Sequence, residues 1–171
     1  FISNNSSGKM GYALADAAIE AGAFVNLVSG PVSIKANKHA NLIKVNSAKE
    51  MLDKVVKSMN DSDIFIGCAA VSDFRPSGYL DRKIKKEDIK NIDIHLKKNE
   101  DILTFVASEF TSSYVVGFDA ETSDVKSNAK RKLKSKDLDM IISNDVSDKS
   151  IGFDVDDNEV NVITVSYTHL R

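Results

Sequence analysis

The chain has no tryptophan, two prolines and a single cysteine, Cys68. One cysteine excludes an internal disulfide and a cysteine-built zinc cluster, and it fits a reducing cytosol. With 42% hydrophobic and 28% charged residues, the composition excludes a disordered or collagen-like chain and fits an ordinary α/β protein. Long apolar runs are missing too. DIFIGCAAV is far too short to cross a bilayer, and no basic segment followed by an apolar one opens the chain. A net charge of -2 gives no general attraction to nucleic acid, so any basic site must be local. The expectation is a soluble cytoplasmic protein with no nucleic-acid or membrane partner. Its 171 residues suit one domain with one core.

Within that length, helical and strand patterns alternate. Met10, Leu14, Ala17, Ala18 and Ala21 recur at helical spacing, and Gly22 is a natural stop. Phe24 to Ser29 reads as a strand closed by Gly30-Pro31, and Asn41 to Val45 as the next. Ser47 and Glu50 form an S-x-x-E capping box for a helix bearing Met51, Leu52, Val55, Val56 and Met59. Asp63 to Val71 is continuously apolar, as expected of a central parallel strand covered on both faces. Further along come a strand at Ile92 to Lys98, a helix at Asp101 to Phe110, and a strand at Tyr114 to Phe118. A lysine-rich helix around Val125, Ala129 and Leu133 precedes a buried strand at Leu138 to Asn144. Asn158 to Val165 reads as a terminal edge strand or a hairpin with the segment near Phe153. Right-handed βαβ crossovers make this an α/β, Rossmann-like three-layer domain with a mostly parallel central sheet.

Polar groups gather where such a sheet binds ligands, beyond the carboxyl ends of its strands. Asn4, Asn5, Ser6, Ser7, Gly8 and Lys9 stand at a helix start, either as a cap, with Ser7 the candidate, or as an anion site at the positive end of the helix dipole. GCAAVSDFRP either packs small residues and turns, or lets a flat base approach the backbone with Asp73 and Arg75 as a rim. Lys83 to Lys86 and Lys130 to Lys136 are solvated faces or the flanks of a polyphosphate site. SSGKMG lacks the first glycine and the Ser/Thr of a P-loop, and no G-x-G-x-x-G occurs, which argues against a nicotinamide-dependent oxidoreductase. His39, His95 and His169 lie apart in unlike contexts and give no metal signal, and Cys68 reads as a buried inert thiol.

In order, ISNNSSGKMG, LVSGPVS, IFIGCAAVSDFRP, KIKK, NEDIL, VVGFDAET and ISNDVS resemble bacterial phosphopantothenoylcysteine synthetase, from Ile2 to about Val165. In many bacteria that synthetase is the C-terminal half of a bifunctional protein of coenzyme A biosynthesis. The resemblance implies a cytoplasmic, homodimeric ligase that uses CTP and Mg2+ to join 4'-phosphopantothenate to L-cysteine through an acyl-cytidylate. FMN is implied only where a decarboxylase domain accompanies the synthetase.

By motif matching, Asn4 corresponds to the asparagine needed to convert the acyl-cytidylate, and Lys83 to the lysine of the first half-reaction. Gly67, Cys68, Ala69 and Asp73 match the CTP-binding strand end, and Phe118 a phenylalanine at the nucleotide. Glu100, Asp101, Ile102 and Leu103 match a CTP-contacting stretch, with glutamate at position 100 where the family commonly has proline. Lys132 and Lys136 match two nucleotide-binding lysines, while Ser6, Ser7, Gly8 and Lys9 become anion-binding surroundings of Asn4. No metal ligands are assigned. The ligase domain is expected over 1–165, truncated at its N-terminus, because the family's preceding glycine-rich loop and arginine-containing segment are missing and a preceding strand is expected. Residues 166–171 read as a divergent tail. The alternative from another class is a non-catalytic nucleotide-binding or dimerisation fragment.

Overall fold

Strand β6 (Tyr114–Glu121) lies between two parallel neighbours, β3 (Ile64–Gly67) and β7 (Met140–Asp145). Its Val115 and Val116 are both buried, so both faces of this strand are covered. β8 (Val160–Thr164) runs antiparallel along β7 and closes that edge. The computed structural model describes residues 6–78, 93–121, 123–145 and 160–165. Over these residues the architecture is Rossmann-like α/β with a mixed, mostly parallel sheet.

Three of the four helices start and stop where the sequence places them. α1 (Lys9–Glu20) ends at Ala21, before Gly22 with φ 91°. α2 (Ala48–Met59) has the capping box: Ser47 Oγ accepts from the Glu50 amide at 3.2 Å, and Glu50 Oε2 accepts from the Asn46 amide at 2.9 Å. α3 (Ile102–Glu109) is capped by Asp101, whose Oδ1 accepts from the Thr104 amide at 3.1 Å. α4 (Val125–Ser135) buries Ala129 and Leu133 and leaves its lysines on the outer side or toward the end of β6. The core joins Val106 of α3, Val115 of β6, Leu133 of α4 and Ile141 of β7, with Val55 and Met59 of α2.

Three expectations change. The start of α1 has no side-chain cap: the N-cap is Gly8, in the left-handed region at φ 79°. A Cβ on Gly8 would lie 2.9 Å from Val32 Cγ1, so the position needs glycine for both its backbone and its neighbour. Ser6 and Ser7 instead accept weakly from the Gly8 and Lys9 amides, each at 3.4 Å.

Among the described residues, the apolar run from Asp63 to Val71 forms only a short strand, Ile64–Gly67, paired on one side. Ile64 is 59% and Ile66 40% exposed, although the run has the composition of a covered central strand. β1 (Asn26–Ser29) pairs in parallel with β2 (Asn41–Lys44), and that pair is hydrogen-bonded to neither β3 nor its sheet. The third sheet is an antiparallel ribbon of β4 (Phe74–Pro76) and β5 (Leu96–Lys98), where the sequence suggested a loop before a longer strand. The suggested hairpin partner near Phe153 lies outside the described residues.

Gly67 and Gly117 are register partners on β3 and β6, and Leu103 of α3 sits over both. A Cβ on Gly117 would fall 2.7 Å from Leu103 Cδ2 and 3.0 Å from Leu138 Cδ1. Gly117→Ala should therefore cost about 1–3 kcal/mol in urea unfolding through overpacking. Gly30→Ala, with nothing within 4 Å of the new methyl, should stay within about 0.5 kcal/mol. Equal costs would contradict this packing.

Candidate active site

A cavity of about 1040 Å³ opens at the carboxyl end of β3. One wall is the strand end itself, Gly67, Cys68 and Ala69, followed by Asp73. The opposite wall is Glu100, Asp101, Ile102 and Leu103 at the start of α3, with Phe118 from β6 and Lys136 from the end of α4. Residues far apart in sequence thus meet because β3 and β6 are parallel and β3 ends level with Gly117 while β6 continues to Glu121, which leaves a crevice beyond the carboxyl end of β3.

Small residues keep this crevice open. A Cβ on Gly11 of α1 would touch Cys68 Sγ at 3.1 Å, so the first turns of α1 lie against the strand end. Burial pushes the Cys68 thiol above its ordinary pKa, which keeps it protonated and suits a packing role.

The polar rim is tied together by hydrogen bonds. Arg75 Nη1 donates to Asn99 Oδ1 at 2.5 Å and to the Lys98 carbonyl at 3.1 Å. Asn99 Nδ2 in turn donates to the Ser72 carbonyl at 2.6 Å, and its amide donates to the Asp73 carbonyl at 2.7 Å. Asn99 is buried, and it fixes the β4–β5 ribbon to the lip of the cavity. Sequence reasoning quoted Asn99 as the first residue of NEDIL but gave it no role, since its partners Arg75 and Ser72 lie far away in sequence.

The two lysines of α4 separate. Lys136 Nζ pairs with Asp101 Oδ2 at 2.7 Å across the cavity mouth. Lys132 does not line the cavity; its ammonium sits between Asp119 Oδ1 at 2.5 Å and Glu121 Oε1 at 2.6 Å at the end of β6. Burial works against the charge of Lys132, but the hydrogen bonds it donates to Asp119 and Glu121 outweigh it and raise its pKa. The same contact with Lys132 lowers Glu121, against a smaller opposing effect of burial. Ser6, Ser7, Gly8 and Lys9 sit at the α1 start beside Val32 and do not line the cavity. Asn4 and Lys83 lie outside the described residues.

Residues 1–170 match the family described as DNA/pantothenate metabolism flavoprotein C-terminal domain. The chain belongs to this family. Curated proteins similar to this chain include coenzyme A biosynthesis bifunctional proteins CoaBC. That of Vibrio vulnificus strain YJ016 is 48% identical over 164 residues, covering 95% of this chain and 41% of the relative. That of Bacillus subtilis strain 168 is 44% identical over 163 residues, covering 95% and 40%. The chain therefore spans about two-fifths of the length of these curated relatives. A crystal structure of the C-terminal domain of a CoaBC superposes with TM-score 0.74 at 34% identity, covering 97% of this chain and 76% of that one. A DNA/pantothenate metabolism flavoprotein structure from Streptococcus pneumoniae, 23% identical with TM-score 0.75 over 95% and 84% of the two chains, shares the fold.

Among the described residues, no group of three or more His, Cys, Asp or Glu converges on a point, and no helix is long and apolar enough to cross a membrane. The carboxylates lining the cavity are Asp61, Asp63, Asp73, Glu100 and Asp101, the last engaged by Lys136.

Burial alone would raise the Asp101 carboxyl, but the hydrogen bonds from Lys136 and the Thr104 amide lower it below its ordinary value of 3.8. A depressed carboxyl stabilises the fold above its unfolded pKa and loses that contribution as pH falls through the folded one. Asp101→Asn keeps the cap and removes the ion pair, so it should cost about 0.5–1 kcal/mol near pH 7. The cost should shrink as pH falls below the ordinary carboxylate value of 3.8 and through the lowered folded one, read by urea unfolding along a pH series. A cost independent of pH would contradict the ion pair.

Proposed function

We propose that the chain is the ligase portion of a coenzyme A biosynthesis protein, joining 4'-phosphopantothenate to L-cysteine at the expense of CTP. The observation that supports this most is that the strand-end, α3-start and Phe118 residues matched to CTP converge on one cavity, in a chain 48% identical to a CoaBC protein. The small residues Gly67 to Ala69 leave room for a flat pyrimidine against the backbone, and Phe118 offers an apolar face to it. Lys136 lies where a triphosphate would reach the mouth, provided Asp101 yields its place. The cellular setting proposed is the cytoplasm, with a homodimer as the working form. Flavin chemistry belongs to the remainder of a bifunctional chain.

The proposed reaction runs in two steps. A carboxylate oxygen of the acid attacks the α-phosphorus of CTP, the bond to the β-phosphate oxygen breaks, and pyrophosphate leaves. Lys83 neutralises the negative charge that spreads over the phosphates in this step. Mg2+, when bound, supplies further neutralisation of the departing pyrophosphate. The amine of cysteine then attacks the activated carbonyl, and CMP departs with the electrons of the acyl–oxygen bond as the amine loses a proton. Asn4 donates a hydrogen bond to the developing oxyanion, since an amide side chain is no base near neutral pH. Ser6 to Lys9, at the positive end of α1, hold the acid's phosphate or carboxylate nearby.

In a protein carrying its native upstream residues, CMP release should require both 4'-phosphopantothenate and cysteine. Release of pyrophosphate without the acid would contradict the reading. Asn4→Ala should accumulate acyl-cytidylate, whereas Lys83→Ala should form little of it, both read by rapid quench; the reverse pattern would reject these roles. For the 171-residue chain alone, the open edge of β3 favours a second reading, nucleotide binding without turnover. Calorimetric CTP binding with no CMP produced would support it.

A further inference from the structure

One asparagine holds the two walls of the cavity together. Asn99 is 9% exposed, and its side chain and backbone reach across to the wall that follows β3. The Asn99 amide donates to the Asp73 carbonyl at 2.7 Å, and Nδ2 donates to the Ser72 carbonyl at 2.6 Å. Oδ1 accepts from Arg75 Nη1 at 2.5 Å. The next residues in the chain, Glu100 to Leu103, are the opposite wall. An amide side chain suits this place because the Ser72 carbonyl needs a donor and the Arg75 guanidinium an acceptor, at the two ends of one planar group.

We propose that Asn99 is a positioning residue for the nucleotide: by holding Ser72, Asp73 and Arg75 together, it fixes the spacing between the strand-end wall and the α3-start wall. The proposal rests on the reading of this cavity as a nucleotide site. Its geometric basis is the short path from Asn99 into α3. Only Glu100 separates Asn99 from Asp101, whose Oδ1 caps α3 at the Thr104 amide and whose Oδ2 meets Lys136 at 2.7 Å. Extended chain spans at most about 3.6 Å per residue, so a displaced Asn99 cannot be absorbed before the helix begins. The cap moves with it, and Lys136 with the cap.

The surroundings assign these bonds to the site rather than to the core. β4 and β5 pair as Phe74–Pro76 with Leu96–Lys98, and the Asn99 amide adds one rung at the cavity end of that ribbon. Among the described residues, the ribbon is laddered to neither of the other sheets. Ser72 and Arg75 are half-buried and Asp73 is exposed, and none of them belongs to the apolar cluster of α2, α3, β6, α4 and β7. The floor of the crevice is set separately, by Leu103 resting over Gly67 and Gly117. That apolar contact is non-directional, whereas the bonds of Asn99 are directional and define how far the α3 start stands from Asp73. A flat base between the two walls feels this spacing directly, while the core does not.

Two substitutions in the full-length protein test this. Asn99→Ala should raise the KM for CTP about tenfold, with kcat at saturating CTP and the KM for L-cysteine each kept within about twofold. Asn99→Asp keeps the acceptor for Arg75 but turns a lone pair toward the Ser72 carbonyl, so it should resemble the alanine variant and not the wild type. Without nucleotide, amide chemical shifts in both variants should move as far away as Thr104 and Lys136, with β7 unchanged. The proposal is overturned by a loss of kcat at an unchanged KM for CTP, which a merely structural role would give. A wild-type KM in Asn99→Asp, or shift changes that stop at Asp101, would also overturn it. If the wild type neither binds nor uses CTP while Thr104 and Lys136 still respond, the nucleotide reading fails and the spacing role stands.

Discussion

The pairing of Gly67 with Gly117 is the contact on which the rest of the arrangement depends. With no side chain on either strand at that level, Leu103 can settle over both, and α3 starts directly above the strand ends. This height sets where Asp101 caps the helix and where Lys136 can reach it. It also leaves Phe118, one residue further along β6, at the cavity wall. A larger residue at either glycine would lift α3 and widen the crevice, so packing in the core and geometry in the site share one cause.

Charge is distributed around this frame in a way that matters for ligand entry. Lys132 is held by two carboxylates and contributes mainly to anchoring α4 against the end of β6. Lys136 is held by one, in a pair that is 30% and 40% exposed on its two sides. Such a half-solvated pair is weak, and a phosphate can replace the carboxylate at little cost. The pair thus keeps a cation at the cavity mouth without leaving it unpaired. On the other lip, Arg75 and Asn99 hold the ribbon whose connecting segment includes Lys83.

Much of the fold was legible because its signals are local. The S-x-x-E box starts α2, Asp101 starts α3, and Gly22 follows α1, each as the side-chain chemistry dictates. The central position of β3 was not borne out over the described residues, because a strand's neighbours are a long-range property: the apolar run records that the strand is meant to be covered, not by what. The cap on α1 misled for a related reason, since serines near a helix start suggest capping whether or not Val32 demands glycine there. Of the site, the strand-end residues could be grouped from the βα alternation, whereas the α3-start residues Glu100 to Leu103 came only through the family resemblance. Asn99 and the split between Lys132 and Lys136 depend on contacts that spacing does not encode.

The central claim is that the crevice beside the Gly67–Gly117 pair receives a cytidine nucleotide. Amide chemical shifts followed during a CTP titration of the protein with its upstream residues test it most directly. The account predicts saturable shifts at Gly67, Cys68, Ala69, Leu103, Phe118 and Lys136, with β2 and α2 unchanged. Absence of shifts, or shifts centred on the α2 side of the cavity, would contradict it.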